Sequence, residues 1–449
     1  MEEIVLGLDV NDEDIAFDEE LLEETNYCLC GPPGSMKSVL LVSMMSQFVK
    51  LQNHAVVMVD LEGDLAAYHV LKKAADEAGK PTYLVCLDET VDCDGWDILA
   101  NTPVFRHDPK RAVPGLVGAL RLHSGEGYPN TFWTRHSTKD INKAVDALKA
   151  IDKWEFGDLA EQLKRNDAES KNPNQVSEAN LAADELFRYT KAMSARDRQL
   201  FIGEAIEEGA LVYFFVPSGL EGGAARSIAS AVNWVVMVEA AMRFDSAESE
   251  ERTTHLAVDG FAQIASKGST TEAILNLARK WNVRLYLVLQ SMAQVPEDLR
   301  SVLRTNCQQA IFDASTREEQ EYLRSLSFDV YREGQRSMTV SGIDMPSQTQ
   351  NEQLEPGLTR NQILEVNGMK QHFFWFLKLG DKYREPMVAK VKPAVSLEEH
   401  RVFKRTPFPR LKALLQVESQ PGSKVFEAVP DQALLDLMSS IQNEQKWFK

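Results

Sequence analysis

No stretch of this 449-residue sequence approaches the roughly 18 consecutive apolar residues that cross a bilayer; runs such as Val39 to Met45 stop far short. The opening MEEIVLG also lacks the basic residues that begin a secretory leader. The sequence therefore reads as cytoplasmic, with any contact to an inner membrane made through a partner. Cysteine is scarce as well. Its five positions (Cys28, Cys30, Cys86, Cys93, Cys307) are odd in number and none has C-x2-C spacing, which argues against zinc knuckles and a secreted disulfide framework. Cys28 and Cys30 lie two apart in an apolar run, so an extended chain turns both thiols to one side, as small buried residues. Basic residues are in deficit: 49 Lys and Arg against 67 Asp and Glu leave a net charge of -18, unsuited to coating nucleic acid by bulk attraction. Eleven of those acids fall in the first 25 residues, which hold no Lys or Arg and read as preceding the first strand of the core; the remainder carries -7. With 24 Gly and 18 Pro, collagen-like and linker compositions are excluded too.

What is present is a globular pattern. Short apolar, β-branched or aromatic runs recur at Tyr27 to Cys30, Ala55 to Asp60, Tyr83 to Leu87, Leu211 to Val216, Leu256 to Asp259, Arg284 to Leu289 and Ala310 to Phe312, with helical stretches between them. Continuous apolar runs predict strands covered on both faces, hence an α/β fold with a mostly parallel sheet. Between Leu87 and Leu211 the pattern changes to amphipathic helices (Asn142 to Ala150, Asp158 to Arg165, Ser177 to Lys191, Arg196 to Glu207), with an exposed loop at Asn166 to Gln175. The expected organisation is a first part of the sheet domain over 1–92, an inserted all-helical domain over 93–207, the second part over 208–392 and a C-terminal extension over 393–449. That extension opens with a basic, aromatic stretch, Ser396 to Lys412, and closes with an amphipathic helix, Pro430 to Ile441. The basic stretch suits either contact with DNA or an acidic partner, or a solvated surface.

The strongest motif is Gly31-Pro32-Pro33-Gly34-Ser35-Met36-Lys37-Ser38, directly after one strand and before the apolar helix Val39 to Val49. A phosphate-binding loop needs that setting, because a glycine-rich turn aims backbone N–H groups and a helix N-terminus at phosphate oxygens. Lys37 would then reach the β- and γ-phosphates of ATP and Ser38 would hold Mg2+. Met36 stands where G-x-x-x-x-G-K-[ST] has its second glycine, at a cost of about 1 to 2 kcal/mol if that position needs positive φ.

Such a site needs a second acid to order Mg2+, and Asp259 at the end of Thr254 to Asp259 supplies it. Gly260 occupies the place of the Glu that polarises the attacking water, a group worth about 10^2 to 10^4 in rate; other carboxylates, such as Glu62, could take its place. Gln290 closes the strand Arg284 to Gln290, where it can sense the γ-phosphate or simply cap the strand. Arg279, in the helix leading into that strand, is either a finger supplied to a neighbouring subunit or a surface group.

These pieces in this order resemble the type IV coupling proteins of bacterial conjugation and secretion, the TraG/TraD-like family within the HerA/FtsK group of pumping ATPases. The resemblance runs from Ile4 to about Lys392. Val56 to Leu65 is similar to the family's strand and D-P-K-G-E-L, keeping Asp60, Gly63 and Leu65 but carrying Leu61 and Glu62 for its Pro and Lys. Asp94 to Leu99 resembles its W-N-P-L turn, Asn130 to Trp133 its F-W before the helical core, and Val212 to Pro217 with Arg226 the strand and helix before the second acid. Ala278 to Gln294 looks like its R-K-x-G … Q-S-x-x-Q block and Leu358 to Leu364 its L-T-P-x-E-I element.

The resemblance implies a RecA-like P-loop NTPase with an inserted all-helical domain, assembled as a hexameric ring that recruits or pumps DNA, a relaxase–DNA complex or protein into a type IV secretion channel. It carries over Arg279 as a trans-acting finger and Gln290 as a sensor. A ring translocase needs positive charge only along its pore, so the acidity constrains the outer surface rather than the substrate. The family's usual N-terminal membrane anchor has no counterpart in the sequence given, so docking is expected to depend on another protein. Two other readings stand beside this one: a nucleotide-binding recruitment platform that does not hydrolyse, motivated by Met36 and Gly260, and a phage or mobile-element DNA-packaging ATPase.

Overall fold

The computed structural model describes residues 3–19, 22, 25–122, 128–170, 176–245, 252–265, 271–327, 329–333, 337–339, 347–349, 352–379, 382–383 and 386–411. Eleven strands form one mixed sheet in the order β2-β1-β11-β10-β9-β3-β8-β7-β4-β6-β5. They are β1 (Glu3–Leu8), β2 (Asp14–Asp18), β3 (Asn26–Cys30), β4 (His54–Asp60), β5 (Thr82–Cys86), β6 (Leu211–Phe215), β7 (Thr253–Asp259), β8 (Val283–Leu289), β9 (Cys307–Phe312), β10 (His372–Phe376) and β11 (Met387–Lys390).

From β9 to β5 every neighbour is parallel. The residues explain this. β3, β4, β7 and β8 are buried along their whole length, as strands covered on both faces must be. All seven apolar runs singled out from the sequence are these parallel strands, and Cys28 and Cys30 are buried thiols among the free cysteines. The expectation of a parallel α/β core holds.

The sheet extends beyond it. β10, β11, β1 and β2 add an antiparallel edge, so the acidic N-terminal segment does not simply precede the sheet: Glu3–Leu8 and Asp14–Asp18 are the last two strands at one end of it. The run pattern hides them because their burial is partial: β2 is exposed or half-buried throughout. Lys392 and Lys390 offset part of the charge, meeting Asp14 and Asp12 at 2.6 Å each. The Trp375 indole N–H donates to the Leu6 carbonyl at 3.0 Å, and Gln47 brackets Val5 with bonds of 2.8 and 3.0 Å.

Helices α1 (Lys37–Lys50) and α2 (Leu65–Ala78) follow β3 and β4. Between β5 and β6 lie α3 (Ala112–Ala119), α4 (Tyr128–Ile151), α5 (Phe156–Ala168), α6 (Glu178–Ser194) and α7 (Ile202–Glu207), and α8 (Ser218–Asp245) follows β6. Two local expectations change. Arg196 to Phe201 is not helical: Gly95 bridges Gln199, and the backbone N–H groups of Gly95 and Leu200 bond Arg198 and Gly95 at 2.6 and 2.8 Å. Asn166 belongs to α5 rather than to a loop, while 171–175 lie outside the described residues.

The Asp94 to Leu99 turn is a polar hinge. Buried Asp97 accepts from the backbone of Leu99 and Ala100, both at 2.9 Å, and of Phe156 at 3.0 Å, which ties the turn to α5. The described residues up to 89 and from 93 to 407 pack as one compact unit, and 90–92 with 408–411 belong to a second. Within the second, Val91 pairs antiparallel with Arg410. The helix expected at 430–441 lies outside the described residues.

In the basic stretch, Leu397–Arg405 is a helix capped by Ser396 and packed on α2, with Phe403 stacked on His69 at 5.8 Å and Glu399 meeting Lys73 at 2.6 Å. Arg401, Lys404 and Arg405 are exposed. Among the described residues no helix is long and apolar enough to cross a membrane.

Candidate functional site

β3 delivers the chain to the loop at Gly31, whose N–H donates to the Leu289 carbonyl of β8 at 3.2 Å. A Cβ at this position would sit 2.6 Å from Phe312 Cβ and 2.7 Å from its carbonyl oxygen, so only glycine passes between the neighbouring strands. Pro32 and Pro33 carry the turn outward. Gly34 has φ 80°, and Met36 has φ 76° and ψ 14°, the left-handed region in which a side chain costs about 1 to 2 kcal/mol. The missing second glycine is thus missing where the backbone wants one; the loop keeps its shape in spite of Met36.

Met36 is the N-cap of α1 and supplies no side-chain cap. The N–H groups of the first turn, at Lys37, Ser38 and Val39, therefore face the loop without intrahelical acceptors. Lys37 is buried; its ammonium donates to the Pro32 carbonyl at 2.8 Å and approaches Ser35 Oγ at 3.5 Å, folded over the loop's hollow. Burial lowers its pKa, while Asp259 opposes the shift.

Two carboxylates end adjacent strands, since Asp60 of β4 lies directly opposite Asp259 of β7. Asp60 accepts from the N–H groups of Glu62 (3.0 Å), Gly63 (2.7 Å) and Asp64 (2.9 Å) and from the Tyr213 hydroxyl (2.9 Å), so it shapes the following loop. Burial raises its pKa against those bonds. Asp259 is pushed up to about 7, by burial first and then by Asp60, although Ser38 hydrogen-bonds it. Lys37 offsets only part of that shift, and a buried carboxylate beside a hydroxyl is a hard oxygen donor set of the kind that suits Mg2+. Among the described residues there is no cluster of three or more His, Cys, Asp or Glu to form an all-protein metal cage, which fits an ion that keeps waters and phosphate oxygens as its other ligands.

A cavity of 310 Å3 brings Lys37, Ser38, Glu62, Asp259, Gln263 and Gln290 together, with Pro33 and Gly34 at its rim. Gln290 is exposed at the end of β8, beside the loop, where an amide can reach a terminal phosphate. Gln294, the last residue of the Q-S-x-x-Q resemblance, also lines the cavity, as does Gln263, which escaped the sequence reading. The signal for Gln263 was faint: it follows Gly260 (φ 89°) in a turn of 3-10 helix, Phe261–Gln263, that no amphipathic pattern marks.

Arg279 is not in this cavity. It lies in the turn Ala278–Trp281 that enters β8 at the opposite edge, so the strand's rise separates it from Gln290 by about 20 Å. Any contact with a nucleotide would have to be with one bound to another copy.

No protein-family model and no curated relative matches the chain. Solved structures do. The plasmid coupling protein TrwB in complex with the non-hydrolysable GTP analogue GDPNP aligns at 16% identity with a TM-score of 0.63, over 91% of this chain and 93% of that one. TrwB in complex with ADP and Mg2+ aligns at 17% identity and 0.59, over 87% and 90%. VirB4 of Thermoanaerobacter pseudethanolicus aligns at 13% and 0.52, over 88% and 97%. The chain shares the RecA-like α/β fold of these proteins.

Proposed function

We propose that the chain binds ATP with Mg2+ in the 310 Å3 cavity and works as a coupling-protein-like ATPase that recruits or moves DNA, a relaxase–DNA complex or protein toward a type IV secretion or conjugation channel. The observation that carries this reading is the meeting of Lys37, Ser38, Asp259 and Gln290 at the C-terminal edge of the sheet, around the opening of α1. The loop from Gly31 through Ser38 would cradle the phosphates, Lys37 would neutralise their charge, Ser38 and Asp259 would hold Mg2+, and Gln290 would sense the γ-phosphate. The fold shared with TrwB, itself solved with GDPNP, ADPNP and ADP with Mg2+, supports the same assignment. In this reading the chain assembles as a hexameric ring in the cytoplasm, reaches the inner membrane through partners, and offers Arg279 to the neighbouring subunit's site. The helices over 93–207 form its inserted domain.

A second reading, a nucleotide-binding recruitment platform without turnover, is favoured by the left-handed Met36 and by the glycine at 260. Hydrolysis measured with and without single- and double-stranded DNA, paired with mass determination in ATP, separates the two. DNA-stimulated turnover that is lost in Lys37→Ala supports the motor; ATP binding and assembly without turnover supports the platform.

A further inference from the structure

The site lacks the carboxylate that normally follows the Mg2+-ordering acid, and the geometry shows what occupies its space. A Cβ built on Gly260 would lie 3.1 Å from Glu62 Oε1, 3.1 Å from Gln263 Nε2 and 3.0 Å from Leu61 Cβ. The Glu62 carboxylate, reaching across from the strand next door, fills the volume into which a residue-260 side chain would grow. The two are alternatives: a carboxylate can enter this corner of the cavity from β7 or from β4, and here it enters from β4.

Glu62 is also held. The Asp60 carboxylate fixes its loop through the N–H groups of Glu62, Gly63 and Asp64, and the Leu61 N–H donates to the Asp259 carbonyl at 3.1 Å, locking the loop to the strand that carries the Mg2+ ligand. The Gln263 amide donates to Glu62 Oε1 at 3.4 Å. The carboxylate shares the cavity with Lys37, Asp259 and Gln290.

We infer that Glu62 is the general base of ATP hydrolysis in this chain, a role moved one strand over from position 260 and made possible by the glycine there. The inference rests on the nucleotide reading above and deepens it. Glu62 takes a proton from the attacking water as the water oxygen bonds to the γ-phosphorus. The bond from that phosphorus to the β–γ bridging oxygen breaks, ADP leaves with the electron pair, and the proton passes from Glu62 to solvent or phosphate. Gln263 acts through Glu62 as a positioning residue.

The test uses the full chain with Mg-ATP and compares the wild type, Glu62→Gln, Glu62→Ala, and the double variant Glu62→Ala/Gly260→Glu. Glu62→Gln is nearly isosteric, and it is expected to bind a non-hydrolysable ATP analogue within about threefold of wild type while turnover falls by about 10^2 to 10^4. After rapid desalting its retained nucleotide should be ATP, where wild type retains ADP. The double variant returns a carboxylate from the other strand, at a position strained by φ 89° and by Leu61 Cβ 3.0 Å away, and should recover turnover in part relative to Glu62→Ala alone. Glu62→Gln turning over at the wild-type rate overturns the assignment, as does a wild type that binds ATP and never hydrolyses it, with or without DNA. A wild type that binds no nucleotide overturns the reading on which the inference rests, so the two failures are distinguishable.

Discussion

β4 and β7 run side by side for seven residues, and their two ends treat polar groups in opposite ways. At the entering end, His54 and His255 are buried. His54 Nδ1 lies 2.7 Å from His255 Nε2, whose ring reaches the Tyr286 hydroxyl through Nδ1 at 2.9 Å and stacks on Phe48 at 4.0 Å; Glu19 meets His54 Nε2. One tautomer set satisfies this chain: Tyr286 donates to His255, His255 to His54, and His54 to Glu19. Burial, with Lys80, Arg252 and Arg284 nearby, lowers His54 to about 4; burial and His54 hold His255 well below its ordinary value. At the leaving end Lys37 and Asp259 are equally buried, yet both line a cavity. Burial alone does not mark a site. What marks it is polar groups whose remaining bonding capacity points into space that a ligand can fill.

Asp60 tests that contrast most severely, because it sits at the leaving end but is satisfied like the histidines. Asp60→Ala should cost about 3 kcal/mol in urea unfolding, by stranding three N–H groups and the Tyr213 hydroxyl. If stability is unchanged and only nucleotide affinity falls, the division between the ends is wrong. Lys37→Ala should do the reverse: about a 100-fold loss of ATP affinity in a fluorescence titration, with melting of the free protein little changed.

The histidine end carries a pH signature. Rings with depressed pKa values take up fewer protons when folded than when unfolded, so they favour the fold above about pH 6.5, and that contribution is lost as pH falls toward 4. Denaturation series at pH 7 and pH 5 should differ by about 2 kcal/mol through His54, with His255 acting in the same direction, and His54→Gln with His255→Gln should flatten the difference; an unchanged slope would mean that the rings are charged in the fold. The smallest effect belongs to Met36→Gly, which should relieve left-handed strain and raise stability or ATP affinity by the equivalent of about 1 kcal/mol.

Much of this was legible in the sequence. Seven parallel strands, four of them buried along their whole length, announce themselves as apolar runs, and the phosphate loop is a local pattern whose residues are contiguous. The antiparallel edge was not legible, because β1 and β2 hide among acids and β10 finds its partners only through pairing. Arg196 to Phe201 keeps a helical pattern but spends its backbone on Gly95 instead. From the sequence Glu62 could be named as a carboxylate able to replace the one missing at Gly260; what was out of reach is the volume the two share. It exists only once residues almost 200 positions apart are placed on adjacent strands, and no spacing rule reports on that.

The strand Asp14–Asp18 forms one outer boundary of the eleven-stranded sheet. At a sheet boundary, backbone donors and acceptors can recruit a like strand from another molecule, the first step toward edge-to-edge aggregation. Asp14 and Asp18 place carboxylates along that edge, and the acids around them reinforce the charge. Two copies approaching edge to edge would bring like charges together, which disfavours that contact.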